Sequence, residues 1–391
     1  MKALLLTDSN VLAGTERHML DLAVGLRRRG LIVAIGCPGG AEQTPLARMA
    51  GECGIEHRAV RKRGAIDPGV VRQLTRWLRS GEIDLIHAHN GRTALHATMA
   101  KRLARRGRVV FTQHFITPHR AARRGVKRFA SQRLHGWMTR WIDHTIAISQ
   151  AVRQAAVARG DAPAHRITIV HNGISDPAGD QRSAGAVRAD FDVPAAAPLV
   201  VCAARLQPEK DVRTLIDAMG RVVTALPESR CLIAGQGVEH AMLQERIAEL
   251  GLGESVRLTG FRQDVRDLIA ACDLFALPAK AEPFGLVLLE AMAFGRPVVA
   301  THAGGPLDIV LPGQTGALFE PMNAIAMAEA MGAILRDPAR RDAMGQAGRQ
   351  RFEACFTADR MAEATAAIYA QVLAGDLSDA ATAGRNTAST Q

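Results

Sequence analysis

Short apolar runs alternate with segments of helical period along almost the whole chain. In the first half, strands are predicted near 2–6, 31–36, 56–60, 83–87, 108–113, 144–148 and 167–171. Helices are predicted there near 16–29, 68–80, 92–105, 123–141 and 149–158. Apolar runs too short to span a helix, separated by helical segments, imply parallel sheets built from βαβ units. The stretch 174–197 is rich in Ser, Asp, Gly, Pro and Ala and reads as a linker. The alternation then restarts, with strands near 198–203, 230–234, 255–259, 273–277, 297–300 and 316–319. Helices are predicted near 211–225, 238–251, 264–271, 286–294, 323–336 and 339–355, and a last one over 359–373 with Thr357 or Asp359 as its cap. The small polar residues 374–391 read as a disordered tail. The pattern therefore predicts an α/β chain of two doubly wound, Rossmann-like domains, 1–175 and 176–358, facing a central cleft. Ligands bind such sheets at the carboxyl ends of the strands.

Composition narrows the class. The chain has 391 residues, 48% of them hydrophobic, enough for two separate cores. No apolar run reaches the length of a membrane-spanning helix, and the run that follows Met1-Lys2 is too short for a signal peptide. The six cysteines are scattered with no Cys-x-x-Cys pair, so neither a zinc site nor a disulfide framework is indicated, and a cytoplasmic location fits. The net charge of +11 is uneven. Residues 1–180 hold 29 Lys and Arg against 13 Asp and Glu, whereas 181–391 hold 20 against 25. A basic first half suits an anionic partner: nucleic acid, membrane or substrate. Solvated arginine-rich faces account for the same count.

The chemistry concentrates in residues 282–305. Glu282 and Glu290 lie eight residues apart, with a Pro283-Phe284-Gly285 turn and the start of an apolar helix between them. At 3.6 residues per turn, Glu290 falls inside that helix and Glu282 on the loop before it. The first-turn amides of the helix lack partners within it and attract anions. A loop carboxylate, free amides and a second carboxylate suit a ligand that is both polyhydroxylated and anionic, such as a sugar nucleotide. Arg205 and Lys210 share one loop past the strand 198–203, placed to neutralise a diphosphate or to act as an ordinary solvated pair. Gly235-Gln236-Gly237 fits a ligand loop and a tight strand-to-helix turn equally well. Gly260-Phe261-Arg262 offers backbone contacts to a base. Gly14, between the first strand and first helix, lets backbone approach a phosphate or simply makes a turn. His114 ends the strand 108–113, where such a sheet exposes side chains. His87 and His89 point to one side of an extended segment, but no third metal ligand lies nearby in sequence. Asp190-Phe191-Asp192 matches a metal-binding Asp-x-Asp only superficially, because it sits in the expected linker.

These residues together resemble the retaining GT-B glycosyltransferases of glycosyltransferase family 4, over nearly the whole chain. The specific elements are Glu282 to Glu290 as an E-x7-E motif, the Arg205–Lys210 pair, and His-Ala-Gly-Gly-Pro at 302–306. Weaker ones are the Gly-x-Glu loop at 14–16, His114, Ala147-Ile148-Ser149 and Val170-His171-Asn172-Gly173. The resemblance implies that the first domain binds the acceptor and the second a nucleotide-sugar donor. Arg205 and Lys210 would stabilise the donor diphosphate as a leaving group, the work a metal does elsewhere, so no cofactor and no metal are expected. Glu290 would bind the ribose hydroxyls. Glu282 would contact the transferred sugar beside the backbone of Phe284, Gly285 and Leu286, with His114 approaching from the first domain. Gly235, Gly260 and Phe261 would complete the donor site, the Gly14 loop would close over the phosphates, and the helix 359–373 would pack back on the first domain. No covalent nucleophile is expected, so the paired-carboxylate logic of glycosidases does not transfer to Glu282 and Glu290. Two positions depart from the family pattern: Ala13 where a second glycine is common, and Asp308 where glutamate is common.

The expected activity is hexosyl transfer, most simply from a UDP-sugar, to a glycan or lipid-linked acceptor of surface polysaccharide, lipopolysaccharide or glycolipid. The basic half, with Trp137 and Trp141, would dock on the anionic inner face of a membrane, or those tryptophans would merely pack on the sheet. The alternatives are a GT-B synthase or phosphorylase with a small soluble acceptor and, more remotely, a nucleic-acid-binding protein. The basic patches lack interleaved aromatics and any helix-turn-helix pattern, so nucleic acid is not an expected partner.

Overall fold

The computed structural model describes residues 1–9, 13–39, 44–60, 64, 67–117, 136, 138–179 and 181–375. The chain divides into two compact units: Met1–Ser175 together with the helix that begins at Ala358, and Asp176–Thr357.

The first unit is built on a seven-stranded parallel sheet in the order β3-β2-β1-β4-β5-β6-β7. Its strands are β1 Lys2–Leu6, β2 Ile32–Pro38, β3 Glu56–Val60, β4 Leu85–Ala88, β5 Arg108–Gln113, β6 His144–Ala147 and β7 Ile167–Ile169. A parallel sheet covered on both faces needs strands that are apolar throughout. Leu4, Leu5 and Leu6 are each at most 1% exposed, and burying each stabilises the fold by about 1.5–3 kcal/mol relative to an exposed position. Because successive side chains point to opposite faces, Leu5, Ile35 and Val110 join one core with the helix Gly14–Arg28. Leu4, Leu6 and Ile86 join the other with Pro68–Ser80 and Gly91–Ala104.

The C-terminal helix Ala358–Ala374 belongs to the first of these cores through Met361, Ala362, Ile368, Tyr369 and Val372. Its entry is fixed by Ala358 N–H donating to the Ile174 carbonyl at 2.8 Å. Gly25 allows the close approach of the first helix, since a Cβ there would lie 2.6 Å from the Ala362 Cβ.

The second unit carries a six-stranded parallel sheet, β10-β9-β8-β11-β12-β13. These strands are β8 Leu199–Ala203, β9 Arg230–Ala234, β10 Val256–Gly260, β11 Leu274–Leu277, β12 Val298–Thr301 and β13 Gly316–Phe319. Strand order reverses between β1 and β4 in the first sheet and between β8 and β11 in the second. Such switch points open the crevices where doubly wound sheets bind ligands.

Among the described residues, two helices longer than a single turn lie where the sequence pattern predicted none. Pro45–Glu52 is short and was hidden in a loop, yet Thr44 caps it (Ala47 N–H to Oγ1, 3.2 Å) with proline at its first turn. Ala184–Ala189 lies inside the stretch expected to be linker. Its small residues give almost no apolar signal; it is held by the Ser183 cap and by Arg188, which pairs with Asp273 at 2.7 Å and donates to the Ala197 carbonyl at 2.7 Å. The helix expected over 123–141, with Trp137, falls almost wholly outside the described residues, as does the tail beyond 375. Trp141 is half-buried with the Arg102 guanidinium 4.9 Å from its ring centroid.

Candidate active site

At the switch point of the second unit, the loop after β8 carries Arg205 and Lys210. Two glycines in the loop after β9 clasp it. A Cβ on Gly235 would sit 1.8 Å from the Ala204 carbonyl oxygen, and one on Gly237 would sit 2.0 Å from that of Leu206. Leu206 N–H donates to the Gln236 carbonyl at 2.9 Å, and Glu239 N–H donates back to Leu206 at 3.1 Å. The Gly-Gln-Gly run thus answers to packing of one backbone on another. The clasp extends to the next loop, where Gly235 N–H donates to the Gly260 carbonyl at 2.8 Å. Phe261 beside it is 69% exposed, a large apolar ring held at the carboxyl edge of the sheet.

Lys210 ends a short 3-10 turn, Pro208–Lys210, and forms an ion pair with Glu282. Both side chains are less than a fifth exposed, so the pair attracts more strongly than a surface one. Arg205 projects to solvent and meets Glu209 at 3.1 Å.

Glu282 is placed by a second glycine clasp. Gly305 N–H donates to the Glu282 carbonyl at 2.8 Å. Gly304 adopts φ +71°, and a Cβ on it would lie 2.2 Å from that same carbonyl oxygen. A Cβ on Gly305 would lie 2.2 Å from Phe284 Cα. Gly285, at φ +106°, turns the chain into the helix Leu286–Ala293, while the Phe284 ring is buried against Phe356 at 6.2 Å between centroids. Phe284 therefore contributes its backbone to the site and its ring to the core. Glu290, within the helix, is 7% exposed and meets Arg266 Nε at 3.4 Å.

In the first unit, His114 follows β5 and His89 follows β4, so both sit at the carboxyl edge beside the switch point. His18, on the helix Gly14–Arg28, joins them: its ring centroid is 4.9 Å from that of His114 and 5.4 Å from that of His89. His89 Nδ1 and His114 Nε2 are 3.2 Å apart. All three rings are buried. Burial lowers the His18 pKa to about 4 and holds His89 and His114 well below the usual histidine range. His87 is engaged otherwise, with Tyr369 Oη and Thr112 Oγ1 each 2.6 Å from its ring nitrogens. Gly14 opens the helix, where the buried Glu16 carboxylate reaches back to accept from Ala13 N–H at 3.1 Å.

The structure brings Lys210 and Glu282 into direct contact and sets Arg205, Gly235, Gly260, Phe261, Phe284, Gly285, Leu286 and Glu290 on a strand end, loops and a helix at the same unit's carboxyl edge; Gly14 and His114 belong to the other unit. Three features escaped the sequence reading: the clasping role of Gly304 and Gly305, the Arg266 partner of Glu290, and His18 beside His114. All three depend on residues brought together by topology. The Asp-x-Asp run is structural: Asp190 pairs with Arg182 at 2.6 Å, and Arg262 stacks over Phe191 at 5.1 Å. Asp308 lies within the short helix Pro306–Ile309, and its carbonyl accepts from Arg351 at 2.8 Å.

Residues 12–176 match the family model described as Glycosyltransferase Family 4, and residues 186–351 match that of Glycosyl transferases group 1. A lipopolysaccharide core biosynthesis glycosyltransferase of Rhizobium meliloti, LpsE, is 32% identical over 201 residues, covering 51% of this chain and 57% of its own length. The chain thus spans little more than half of that relative. A glycogen synthase of Mycobacterium tuberculosis is 30% identical over 303 residues, 76% of this chain and 71% of the relative. Anabaena Alr3699/HepE, solved in complex with UDP, superposes with a TM-score of 0.80 at 25% identity, covering 95% of this chain and 100% of that one. The two parallel-sheet units, the glycine-clasped Glu282–Lys210 pair and these matches lead to one assignment: the chain belongs to the GT-B glycosyltransferases of glycosyltransferase family 4.

Proposed function

We propose that the protein transfers a hexose, with retention of configuration, from a UDP-sugar to a glycan or lipid-linked acceptor in surface-glycan synthesis. The observation that carries this reading is the Lys210–Glu282 pair, held by two glycine clasps at the switch point of the second unit. Departure of a sugar from a diphosphate leaves negative charge on the β-phosphate, and Lys210 and Arg205 supply cations where that charge develops. Glu282, fixed by its backbone bond to Gly305, is placed to orient the sugar hydroxyls. Glu290 accepts hydrogen bonds from the ribose, beside the first-turn amides of Leu286–Ala293. A donor phosphate oxygen takes the acceptor's proton, so neither carboxylate acts as a nucleophile. His114 contacts the transferred sugar, as the family resemblance implies. The donor chemistry requires no metal at the diphosphate.

The choice of UDP draws on the HepE complex, and the acceptor class on the name of LpsE. A basic cavity lined by Lys101, Arg102, Arg105, Arg106, Arg108 and Trp141 supports docking on an anionic membrane face. Among the described residues no helix is long and apolar enough to cross a membrane. The second reading, a synthase-type enzyme with a soluble acceptor, is favoured by the glycogen synthase match, which covers more of this chain than that of LpsE.

The test is thermal unfolding of the protein with UDP, GDP and ADP and their common sugars, in chelator. A ligand that binds only the native state raises the melting temperature. The expected result is a shift with UDP and its conjugates; a shift with GDP or ADP alone replaces the base, and none with any nucleotide removes the donor site. Co-sedimentation with phosphatidylglycerol vesicles separates the two acceptor classes.

A further inference from the structure

We propose that Arg266 is a positioning residue of the nucleotide site: it holds the Glu290 carboxylate in the orientation that accepts the ribose hydroxyls, and so sets a preference for a ribonucleotide over a deoxyribonucleotide. This deepens the donor reading above and rests on its assignment of Glu290 to the ribose.

Burial makes the pair unusual. The helix Leu286–Ala293 buries Leu288, Leu289, Glu290, Ala291 and Met292 in succession, and Glu290 is the one charged side chain in that run. A carboxylate moved from water into an apolar setting is costly unless it is paired and hydrogen-bonded. Arg266 Nε supplies a cation 3.4 Å from Glu290 Oε1. The Glu290 side chain is 9% exposed, whereas that of Arg266 is 48% exposed. An ordinary surface pair leaves both partners in solvent, as Arg205 and Glu209 are, and contributes little. Here one partner is buried inside the helix that borders the donor site, and the other reaches it from solvent.

Arg266 is itself firmly carried. Its helix, Val265–Ala271, follows β10 and buries Leu268 and Ile269. The loop before that helix is pinned by Arg262, which forks onto Asp264 at 2.7 and 2.6 Å and stacks over the Phe191 ring at 5.1 Å. A guanidinium launched from a fixed helix restricts the rotamers open to the carboxylate it meets. A carboxylate held in its working orientation loses less freedom when the ligand arrives.

Selectivity follows from the ligand's chemistry. An ionised carboxylate only accepts hydrogen bonds, and the ribose hydroxyls donate them. A deoxyribose lacks one donor, and a site built to meet that hydroxyl rejects the analogue because a buried charged acceptor is left unanswered. The rejection is sharp only while the carboxylate is held in place, which is the part given to Arg266.

Isothermal titration with UDP, 2′-deoxy-UDP and 3′-deoxy-UDP reads this directly; where the thermal test selects another base, the ribo- and deoxyribonucleotides of that base replace them. The three ligands carry the same base and diphosphate. Loss of a nearby positive charge therefore weakens them alike, and the ratio of their dissociation constants reports the ribose contact. Wild type is expected to prefer UDP over at least one deoxy analogue by about 10- to 100-fold, the worth of a hydrogen bond to a charged group. Arg266→Ala should lose most of that preference and approach the ratio of Glu290→Ala. With the sugar donor, Arg266→Ala should raise KM and leave kcat nearly unchanged, the mark of binding shared by ground and transition states. Arg266→Met keeps the apolar stem and answers the same question should the alanine variant fail to fold. Equal binding of all three ligands by wild type, or a preference that survives Glu290→Ala, overturns the ribose assignment and this proposal with it. A preference that Glu290→Ala abolishes but a folded Arg266 variant retains overturns the role of Arg266 alone.

Discussion

Gly305→Ala isolates the clasp that positions Glu282. The new Cβ would lie 2.2 Å from Phe284 Cα, 2.5 Å from its carbonyl oxygen and 2.7 Å from its nitrogen. Every neighbour is backbone, so no side chain can swing aside. Restoring ordinary contact needs a displacement of about 1 Å between this loop and the segment of Glu282–Phe284. Overpacking of this kind costs about 1–3 kcal/mol of stability, but a misplacement of that size near reacting groups lowers turnover by about 100-fold. Gly305 has φ −65°, so alanine introduces no backbone strain of its own. Gly313→Ala supplies the complementary control: its φ is +79° with nothing within 4 Å of the new Cβ, giving strain of about 1 kcal/mol without a clash. The assay is thermal unfolding alongside initial-rate kinetics with the donor found by nucleotide titration. Gly305→Ala should lose kcat/KM far beyond its loss of stability, while Gly313→Ala should lose only stability. Gly305→Ala kinetics indistinguishable from those of Gly313→Ala would refute the view that the glycine pair aims Glu282.

The remaining predictions probe separate parts of the chain. Glu290→Ala should weaken nucleotide binding about 10- to 100-fold, the loss of charged hydrogen bonds, whereas Lys210→Ala should chiefly lower kcat, by about 100-fold or more; isothermal titration and steady-state kinetics distinguish them, and unchanged values in both variants would remove the site assignment. Tyr369→Phe strips a buried partner from His87 and should destabilise by about 1–3 kcal/mol, read from the urea midpoint; an unmoved midpoint argues against this bond as a tie for the C-terminal helix. Burial lowers the His144 pKa from 6.5 to about 4. Unfolded protein therefore binds a proton that the native form refuses between those values, and stability falls as pH drops through 6.5. At pH 5.5 the contribution is about 1.4 kcal/mol, so His144→Asn should lose less stability than wild type between pH 7.5 and 5.5, and an identical slope would contradict the assignment.

Most of the architecture was legible because its signals are local. Strands buried on both faces read as continuous apolar runs, and the helices between them carry their own period and caps, as Asp67 and Ser149 show for the helices they precede. The Glu282-to-Glu290 spacing placed one carboxylate before a helix and the other within it, and the helix does start at Leu286. What stayed illegible either lacks an apolar face or joins residues far apart in the chain. Ala184–Ala189 is built from small residues and an arginine whose partner, Asp273, lies 85 positions away. Arg266 meets Glu290 across 24 positions, with no motif to announce it.

The glycines show most plainly where sequence reasoning stops. Gly-x-Gly at 235–237 and Gly-Gly at 304–305 look alike as turn signals, and either can be read as making room for a ligand. In the structure both make room for another loop of the same protein, Ala204–Leu206 in one case and Glu282–Phe284 in the other. The charged side chains that suit a sugar nucleotide sit on the clasped loops, and the glycines sit on the loops that clasp them. A cation and a carboxylate from loops far apart in the chain thereby meet in one ion pair, with positions set by backbone packing that a single added methyl group would disturb. The histidines of the first unit follow the same logic. His89 and His114 end neighbouring strands, so sheet order alone brings them together, while His18 arrives from a helix and no spacing in the sequence marks it as their partner.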